Sequence, residues 1–336
     1  MIDNLEIFLI TYNRKNNLKQ TLDSVYGDDS PIKDKQITIL DNKSTDGTSE
    51  LIDEYIVNRP NSKHIIHNRN IGGNANIARC YELASKEYFW ILCDDDNISW
   101  KNWDDVVVKL ESKPDVVVVS NYMHPEKNTA QLVGQLSFVP AGIYKTSNIT
   151  DTVMQNIGYQ ISTMFPQLAL VCKIINSNGK VEICKNPIVT MVFNENSSYT
   201  RGMVNTEKHP LMSSVSWALG FLKSIQMLHD IELQSFIVEN LQLEDGLYVL
   251  HPDSFMEVNS EIFGNKYVNE VEYFALLPEK YKLMFTYNNY KEKNTNLELN
   301  SYNYENSEIK YQKIKRSKAY KLGNALLYIP KKILKK

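Results

Sequence analysis

Short apolar runs that stop on polar residues recur through the first third of the chain. Glu6-Ile7-Phe8-Leu9-Ile10-Thr11 reads as a strand buried on both faces and ends at Tyr12-Asn13-Arg14. Gln36 to Leu40 is a second such run and ends at Asp41-Asn42; Lys63 to His67 is a short third. The fourth, Tyr88 to Cys93, stops abruptly at Asp94-Asp95-Asp96, and Val116 to Val119 makes a fifth. Between the runs, apolar residues return at helical spacing. Leu18, Leu22 and Val25 mark a first helix, with Asn13 or Asn16 placed to cap it. Leu51, Ile52, Tyr55 and Ile56 mark a second, opened by Asp46 as N-cap. Ile77, Cys80, Tyr81 and Ala84 mark a third, and Ser99 is placed to cap a fourth from Trp100 to about Glu111. This alternation predicts an α/β fold with right-handed crossovers and a mainly parallel sheet, covered by helices on both faces.

The polar residues Thr11 to Arg14, Asp41-Asn42 and Asp94 to Asp96 all fall at the carboxyl ends of predicted strands. In an open α/β sheet that edge is where ligands bind. Beyond Ser120 the pattern loosens. Gly142-Ile143-Tyr144 reads as a strand leading into a helix from about Asn148, Ile161 to Ile175 as one apolar helix, and Pro187 to Phe193 as a β-like run. His209 to about Leu241 and Asn259 to Tyr290 read as helical, and Asn288 to Asn306 as a loop. The expected division is a first domain over residues 1–205, in two halves (1–121 and 122–205), followed by a helical C-terminal region over 206–336.

Composition adds limits. A hydrophobic content of 43% and a charged content of 23% are those of a globular protein, and a net charge of -3 gives no case for nucleic-acid binding. The four cysteines have neither paired spacing nor histidine partners at zinc-site intervals, so they read as reduced core residues. No basic-then-apolar leader precedes the first strand, and no apolar run is long enough to span a bilayer. The tail from Lys310 to Lys336 is different. It carries no acid and interleaves Tyr320, Leu322, Leu326, Leu327, Ile329, Ile333 and Leu334 with lysines, a pattern suited to lying on an anionic membrane surface. Each basic residue near such a surface contributes about 1 kcal/mol. Reduced cysteines and this tail together suit a cytosolic protein that lies peripherally on an anionic membrane surface.

Three adjacent carboxylates at a strand end repel one another and cannot all pair with protein groups; a cation whose coordination is completed by a bound ligand explains them. The turn after the first strand, Thr11-Tyr12-Asn13-Arg14, has no glycine with which to cradle a diphosphate, and no P-loop is present. A bound diphosphate would then need its charge met by the metal. Asp41 is placed to accept a hydrogen bond from a base or a ribose hydroxyl, and the ring of Tyr12 to stack on the base.

Four segments, in this order, carry a family likeness: Ile10-Thr11-Tyr12-Asn13-Arg14; Leu40-Asp41-Asn42-Lys43-Ser44-Thr45-Asp46-Gly47-Thr48; Asn68-Arg69-Asn70-Ile71-Gly72-Gly73-Asn74-Ala75-Asn76; and Leu92-Cys93-Asp94-Asp95-Asp96. The first hundred or so residues resemble the nucleotide-binding half of family 2 glycosyltransferases with the GT-A fold. Within that family the Tyr88 to Asp96 run resembles bacterial enzymes that build O-antigen and capsule, including the abequosyltransferase-like group. The resemblance implies transfer of a sugar from a nucleotide-diphosphate sugar to a glycan or lipid-linked glycan acceptor, with inversion. It implies that Thr11, Tyr12 and Asp41 hold the nucleoside with Arg14 nearby, and that Asn70, Gly72, Gly73 and Asn76 close over the nucleotide. It also implies that Asp94 faces the ribose, that Asp96 ligates Mn²⁺ or Mg²⁺ together with Asp94, and that Asp95 shares either task. The family's base usually lies in a Glu-Asp pair opening a helix; the comparable segment here, Ser162 to Leu170, has none, and Gln167 stands in its place. Asp151, Glu182 and Glu195 are the carboxylates left to consider. Glu195, which follows a predicted strand, ranks first. Two other readings remain at this point: a non-catalytic nucleotide-sugar-binding or scaffold protein, and a sugar-phosphate nucleotidyltransferase, although the latter should carry a glycine- and arginine-rich loop where Thr11 to Arg14 stands.

Overall fold

The strand that ends on the three acids lies near the middle of the sheet, and its neighbours explain why. In the computed structural model, which describes residues 4–191 and 214–241, strand β4 (Tyr88–Cys93) pairs with β1 (Leu5–Thr11) on one side and β7 (Gly142–Lys145) on the other. Tyr88 to Leu92 are all buried, which only a strand covered on both faces requires. Beyond β1 come β2 (Gln36–Asp41) and β3 (Ser62–Ile66); beyond β7 come β6 (Val116–Val118) and β8 (Val181–Ile183). The order of this seven-stranded sheet is β3-β2-β1-β4-β7-β6-β8.

Side-chain alternation sorts the core into two layers. Leu5, Ile7 and Leu9 of β1, with Trp90 and Leu92 of β4, pack against α1 (Lys15–Tyr26), α2 (Thr48–Ile56) and α4 (Trp103–Glu111). The Trp90 ring stacks on Trp103 at 6.1 Å and meets Trp100 edge-on, while its Nε1 donates to the Pro140 carbonyl at 2.8 Å. On the other face Phe89 meets Tyr81 of α3 (Gly73–Leu83) edge-on and stacks on Tyr144 of β7. The mainly parallel sheet with helices on both faces is therefore as the hydrophobic pattern predicts.

Several expectations need correction. Strand β7 runs antiparallel to both β4 and β6, against the otherwise parallel sheet. The helix expected over 161–175 is broken: a 3₁₀ turn, Ile161–Thr163, is followed by Met164 at φ 71 and by Pro166, and α7 begins only at Leu168 and ends at Asn176. Neither Asn13 nor Asn16 caps α1; Asn13 sits at φ 50 and accepts the Thr45 N–H instead. Before α2, Gly47 occupies the cap position at φ 88, while Asp46 accepts from the backbone N–H of Thr48 and from its hydroxyl. Ser99 makes no side-chain cap; a 3₁₀ turn over Trp100–Asn102 precedes α4. Strand β8 was not foreseen, because its three residues are only half-buried and carry a glutamate.

The remaining elements are β5 (Asn97–Ile98), α5 (Thr129–Leu136), α6 (Asp151–Gln160), β9 (Val189–Thr190), α8 (Ser214–Ile225) and α9 (Ile231–Asn240). β5 and β9 form a separate two-stranded ladder just past the acids, with Asn97 opposite Thr190. α8 and α9 divide the expected 209–241 helix at Asp230, whose carboxylate accepts from Glu232 and Leu233 N–H. Thr163 and Gln160 both hydrogen-bond Ser224 of α8, and Phe165 packs edge-on to Phe221. Glu195, the helix expected over 259–290, the loop over 288–306 and the basic tail lie outside the described residues.

Candidate active site

Register brings the polar strand ends together. Thr11 stands opposite Asp41, and Ile10 opposite Cys93, so Thr11 is level with Asp94. The Thr11 hydroxyl donates to Asp94 Oδ2 at 2.6 Å. Arg14, only 7% exposed, lies against both acids: its Nη2 is 2.9 Å from Asp95 Oδ2 and its Nε 3.4 Å from Asp94 Oδ1. Burial pushes the Asp94 carboxyl up to about 7, and the pull of the Arg14 guanidinium only partly offsets it. Arg14 thus braces the acids from within, with its backbone N–H donating to the Thr48 hydroxyl. Asp96 is half-buried at the turn into β5.

A second cluster forms around the end of β2. Asn42, 2% exposed, donates from its backbone to the Thr11 carbonyl, which joins the two clusters. Its side chain donates to Asn70 Oδ1 at 2.9 Å and accepts the Ile71 N–H at 2.9 Å. Asn70 in turn accepts the Gly72 N–H. Gly72 has φ 86, a backbone state L side chains rarely adopt, and at neither Gly72 nor Gly73 would a Cβ meet anything within 4 Å. Asn76, 2% exposed, bridges the His67 ring and the Leu40 carbonyl, pinning the first turn of α3 to the strand ends. Tyr12, 41% exposed, leaves its ring open at the end of β1.

Asp41 is fully buried. Its carboxylate accepts the Ser44 N–H at 2.8 Å and the Ser49 hydroxyl, and His64 lies 3.9 Å away. Burial would raise this acid, but His64, Ser44 and Ser49 outweigh it and leave its pKa about 2. The anion organises the turn from Asp41 to Ser49. His64 and His67 were missed, and Asn42 was placed at the ligand edge but given no role. Asn42 had a usable signal, a buried-run terminus next to an acid, whereas His64 looked like any polar residue on a short strand.

The other carboxylates considered as base lie elsewhere. Glu182, on the outermost strand, is held by Lys109 at 3.0 Å and by the Ser112 hydroxyl at 3.1 Å. Asp151 is exposed in the first turn of α6, which begins at the opposite sheet edge because β7 ends there, with Lys145 beside Tyr88. Gln167 is 1% exposed; its Nε2 donates to the Ser137 carbonyl, and its Oε1 is buried with no hydrogen-bond partner among the described residues.

For a metal, the donor set is informative. Among the described residues no three His, Cys, Asp or Glu side chains gather to hold an ion by themselves. The Asp94 oxygens are engaged by Thr11 and Arg14. Asp96 at the end of this row offers a hard oxygen, and diphosphate oxygens and water would complete the shell, a set suited to Mg²⁺ or Mn²⁺.

Residues 6–175 match the family model "Glycosyl transferase family 2". The chain belongs to that family. The match spans both clusters, and the sheet they rest on is the GT-A fold of this family 2 glycosyltransferase. Abequosyltransferase RfbV of Salmonella typhimurium is 35% identical over 109 residues, 32% of this chain and 32% of that protein, so the chain spans about a third of the length of the curated relative it matches. Among solved structures, S. aureus TarS 1-349 superposes with a TM-score of 0.48 at 16% identity, covering 84% of this chain and 86% of that one. Mannosyltransferase PcManGT from Pyrobaculum calidifontis, in complex with GDP-Man and Mn2+, superposes with a TM-score of 0.42 at 12% identity, covering 84% of each chain.

Proposed function

We propose that this family 2 glycosyltransferase moves a sugar from a nucleotide-diphosphate donor to a glycan acceptor, lipid-linked, in surface-polysaccharide synthesis of the O-antigen or capsule type. The observation that carries the reading is the meeting of two hydrogen-bonded clusters on one sheet edge. Thr11, Arg14, Asp94 and Asp95 form the acidic floor, and Asn42, Asn70, Gly72 and Asn76 form a loop clamp beside it. In this reading the nucleoside lies against Tyr12 and the turn held by Asp41, and its diphosphate crosses toward Asp94 to Asp96. Gly72 and Gly73 leave room for it.

Asp96, with Asp94 behind it, would hold Mn²⁺ or Mg²⁺, which when bound neutralises charge on the leaving diphosphate. Transfer proceeds by a single displacement with inversion: the acceptor hydroxyl oxygen bonds to the anomeric carbon as the bond to the diphosphate breaks, and a base takes the hydroxyl proton. Glu195 is the proposed base. It is supported by the pairing of Thr190 with Asn97, which returns the chain to the acids shortly before residue 195. The lysine-rich tail supports docking on an anionic membrane at the cytoplasmic face, where lipid-linked acceptors are presented.

A thermal-shift screen of nucleoside diphosphates with Mn²⁺ tests the donor reading, because a ligand that binds the native state raises its stability. Asp96→Ala is expected to lose the metal-dependent part of the shift, and a full shift in that variant overturns the metal assignment. Glu195→Gln is expected to bind donor normally and transfer no sugar; near-normal turnover removes it as base. The buried Gln167 favours one second reading, a nucleotide-sugar-binding scaffold, which would show neither hydrolysis nor transfer with any donor and acceptor.

A further inference from the structure

His64 stands on β3 opposite Ile39, with its side chain 6% exposed and both ring nitrogens aimed at carboxylates. Nδ1 is 2.8 Å from Asp53 Oδ1 on α2. Nε2 lies 3.9 Å from Asp41 Oδ2, an ion-pair distance rather than a hydrogen bond, and has no hydrogen-bond partner among the described residues. A neutral imidazole always presents one lone pair, which here would face an anion; the imidazolium presents a proton to each. Asp41 gives the complementary argument. It is a fully buried anion whose other contacts, Ser44 N–H and the Ser49 hydroxyl, are neutral. Among the described residues, His64 is the one basic side chain within ion-pair distance of it. A buried carboxylate left without a countercharge is costly.

We propose that His64 is a positioning residue for the nucleoside pocket: held as an imidazolium between Asp53 and Asp41, it fixes the Asp41 carboxylate and, through it, the 41–49 turn that receives the base. This rests on the donor reading above. The effect reaches further than one side chain, because the Asp41 carbonyl accepts the His67 N–H and the next residue, Asn42, clamps the 70–72 loop. The elements packed on β3 are β2 and α2, and their charged groups facing His64 are Asp41 and Asp53; Lys63, its neighbour on β3, alternates to the other face. Burial works against the imidazolium, but the two carboxylates more than reverse it, so His64 holds its proton above the ordinary imidazole range.

The test is calorimetric titration of the full chain with UDP, GDP, CDP and dTDP, each with Mn²⁺, from about pH 6 to about pH 8.5. Affinity for the preferred nucleotide is expected to fall as the pH rises and His64 loses its proton. His64→Gln, which keeps an amide donor but no charge, is expected to bind about tenfold more weakly at the acid end and to lose the His64 part of the fall, leaving only the pH dependence that Asp94 contributes. Asp53→Asn is expected to move the fall to lower pH, since the imidazolium then has one carboxylate fewer. A His64→Gln variant with the affinity and pH profile of the unmodified chain overturns the role of His64 alone. If that variant does not fold, Asp53→Asn decides, its parent carboxylate being 66% exposed and outside the core: an unchanged profile overturns the proposal. Failure of the unmodified chain to bind any of the four at any pH overturns the donor reading, and this one with it.

Discussion

Arg14 is the residue on which the acidic floor depends. A guanidinium 5% exposed sits between two carboxylates that are themselves 7% and 11% exposed, so removing it leaves the Asp95 charge without its buried partner and takes away the pull that opposes the protonation of Asp94. Truncating one partner of a buried ion pair costs about 3 kcal/mol or more. Arg14→Ala is therefore expected to lower the urea unfolding free energy by at least about 3 kcal/mol. Arg14→Lys recovers only part of it, because a point charge cannot span Asp94 and Asp95 as the planar fork does. Gln167 gives a second prediction. Its amide nitrogen donates to the Ser137 carbonyl in a buried site. Gln167→Glu would turn that donor into an oxygen facing an oxygen, and is expected to cost about 2 kcal/mol or more without raising sugar transfer. A more active Gln167→Glu enzyme would show that the site tolerates a base there after all.

Among the elements, the break between α6 and α7 matters most, since it carries the 161–167 turn to the site edge, where Asn74 donates to the Ile161 carbonyl at 2.8 Å. Helix α8 holds this turn from behind. A Cβ at Gly220 would collide with the Thr163 carbonyl, so α8 approaches the turn at a distance only glycine allows. Gly220→Ala is expected to destabilise the chain by about 2 kcal/mol in chemical denaturation, with Phe165 and Phe221 forced apart. None of this is legible in a row of apolar letters: Ile161 to Ile175 has helical composition throughout, and only Pro166 hints that the chain turns. Strand direction is hidden for a related reason. Gly142, Ile143 and Tyr144 are buried on both faces, and a doubly buried run looks the same read up or down the sheet. By contrast β1, β2, β4 and the helices between them were readable, because each apolar run ends on a polar residue that must stay at the sheet edge. The gathering of Thr11, Arg14, Asp41 and Asp94 to Asp96 at one sheet edge was legible for that reason. The base was not, since a carboxylate is recognised by its surroundings, and Asp151 and Glu182 lie in the wrong ones.

For the whole molecule, the shifted groups set how stability follows pH. Asp41, with a pKa about 2, is held below the ordinary carboxylate range. Its contribution is complete above about pH 4 and lost as the pH falls toward 2. Asp94, raised to about 7, does the reverse: the native state keeps a proton that the unfolded chain has released, so stability declines as the pH climbs from about 4 through 7. His64, raised as well, adds to that decline above the ordinary imidazole value. The urea midpoint of the chain without ligand is expected to peak between about pH 4 and pH 6, and a midpoint rising steadily to about pH 8 would falsify these assignments. The two site clusters are joined by a backbone hydrogen bond from Asn42 N–H to the Thr11 carbonyl, and the 44–48 turn adds more: Asn13 N–H donates to the Ser44 hydroxyl, Arg14 N–H to the Thr48 hydroxyl and Lys15 N–H to Asp46. Substitutions in residues 42–48 and in the acidic floor should therefore couple, whereas those in the 70–72 loop, which bonds Asn42 and none of the acids, should combine with floor substitutions nearly additively. In the proposed donor reading, a lineage of such chains can therefore vary the 70–72 loop one step at a time while the acids beside it stay as they are.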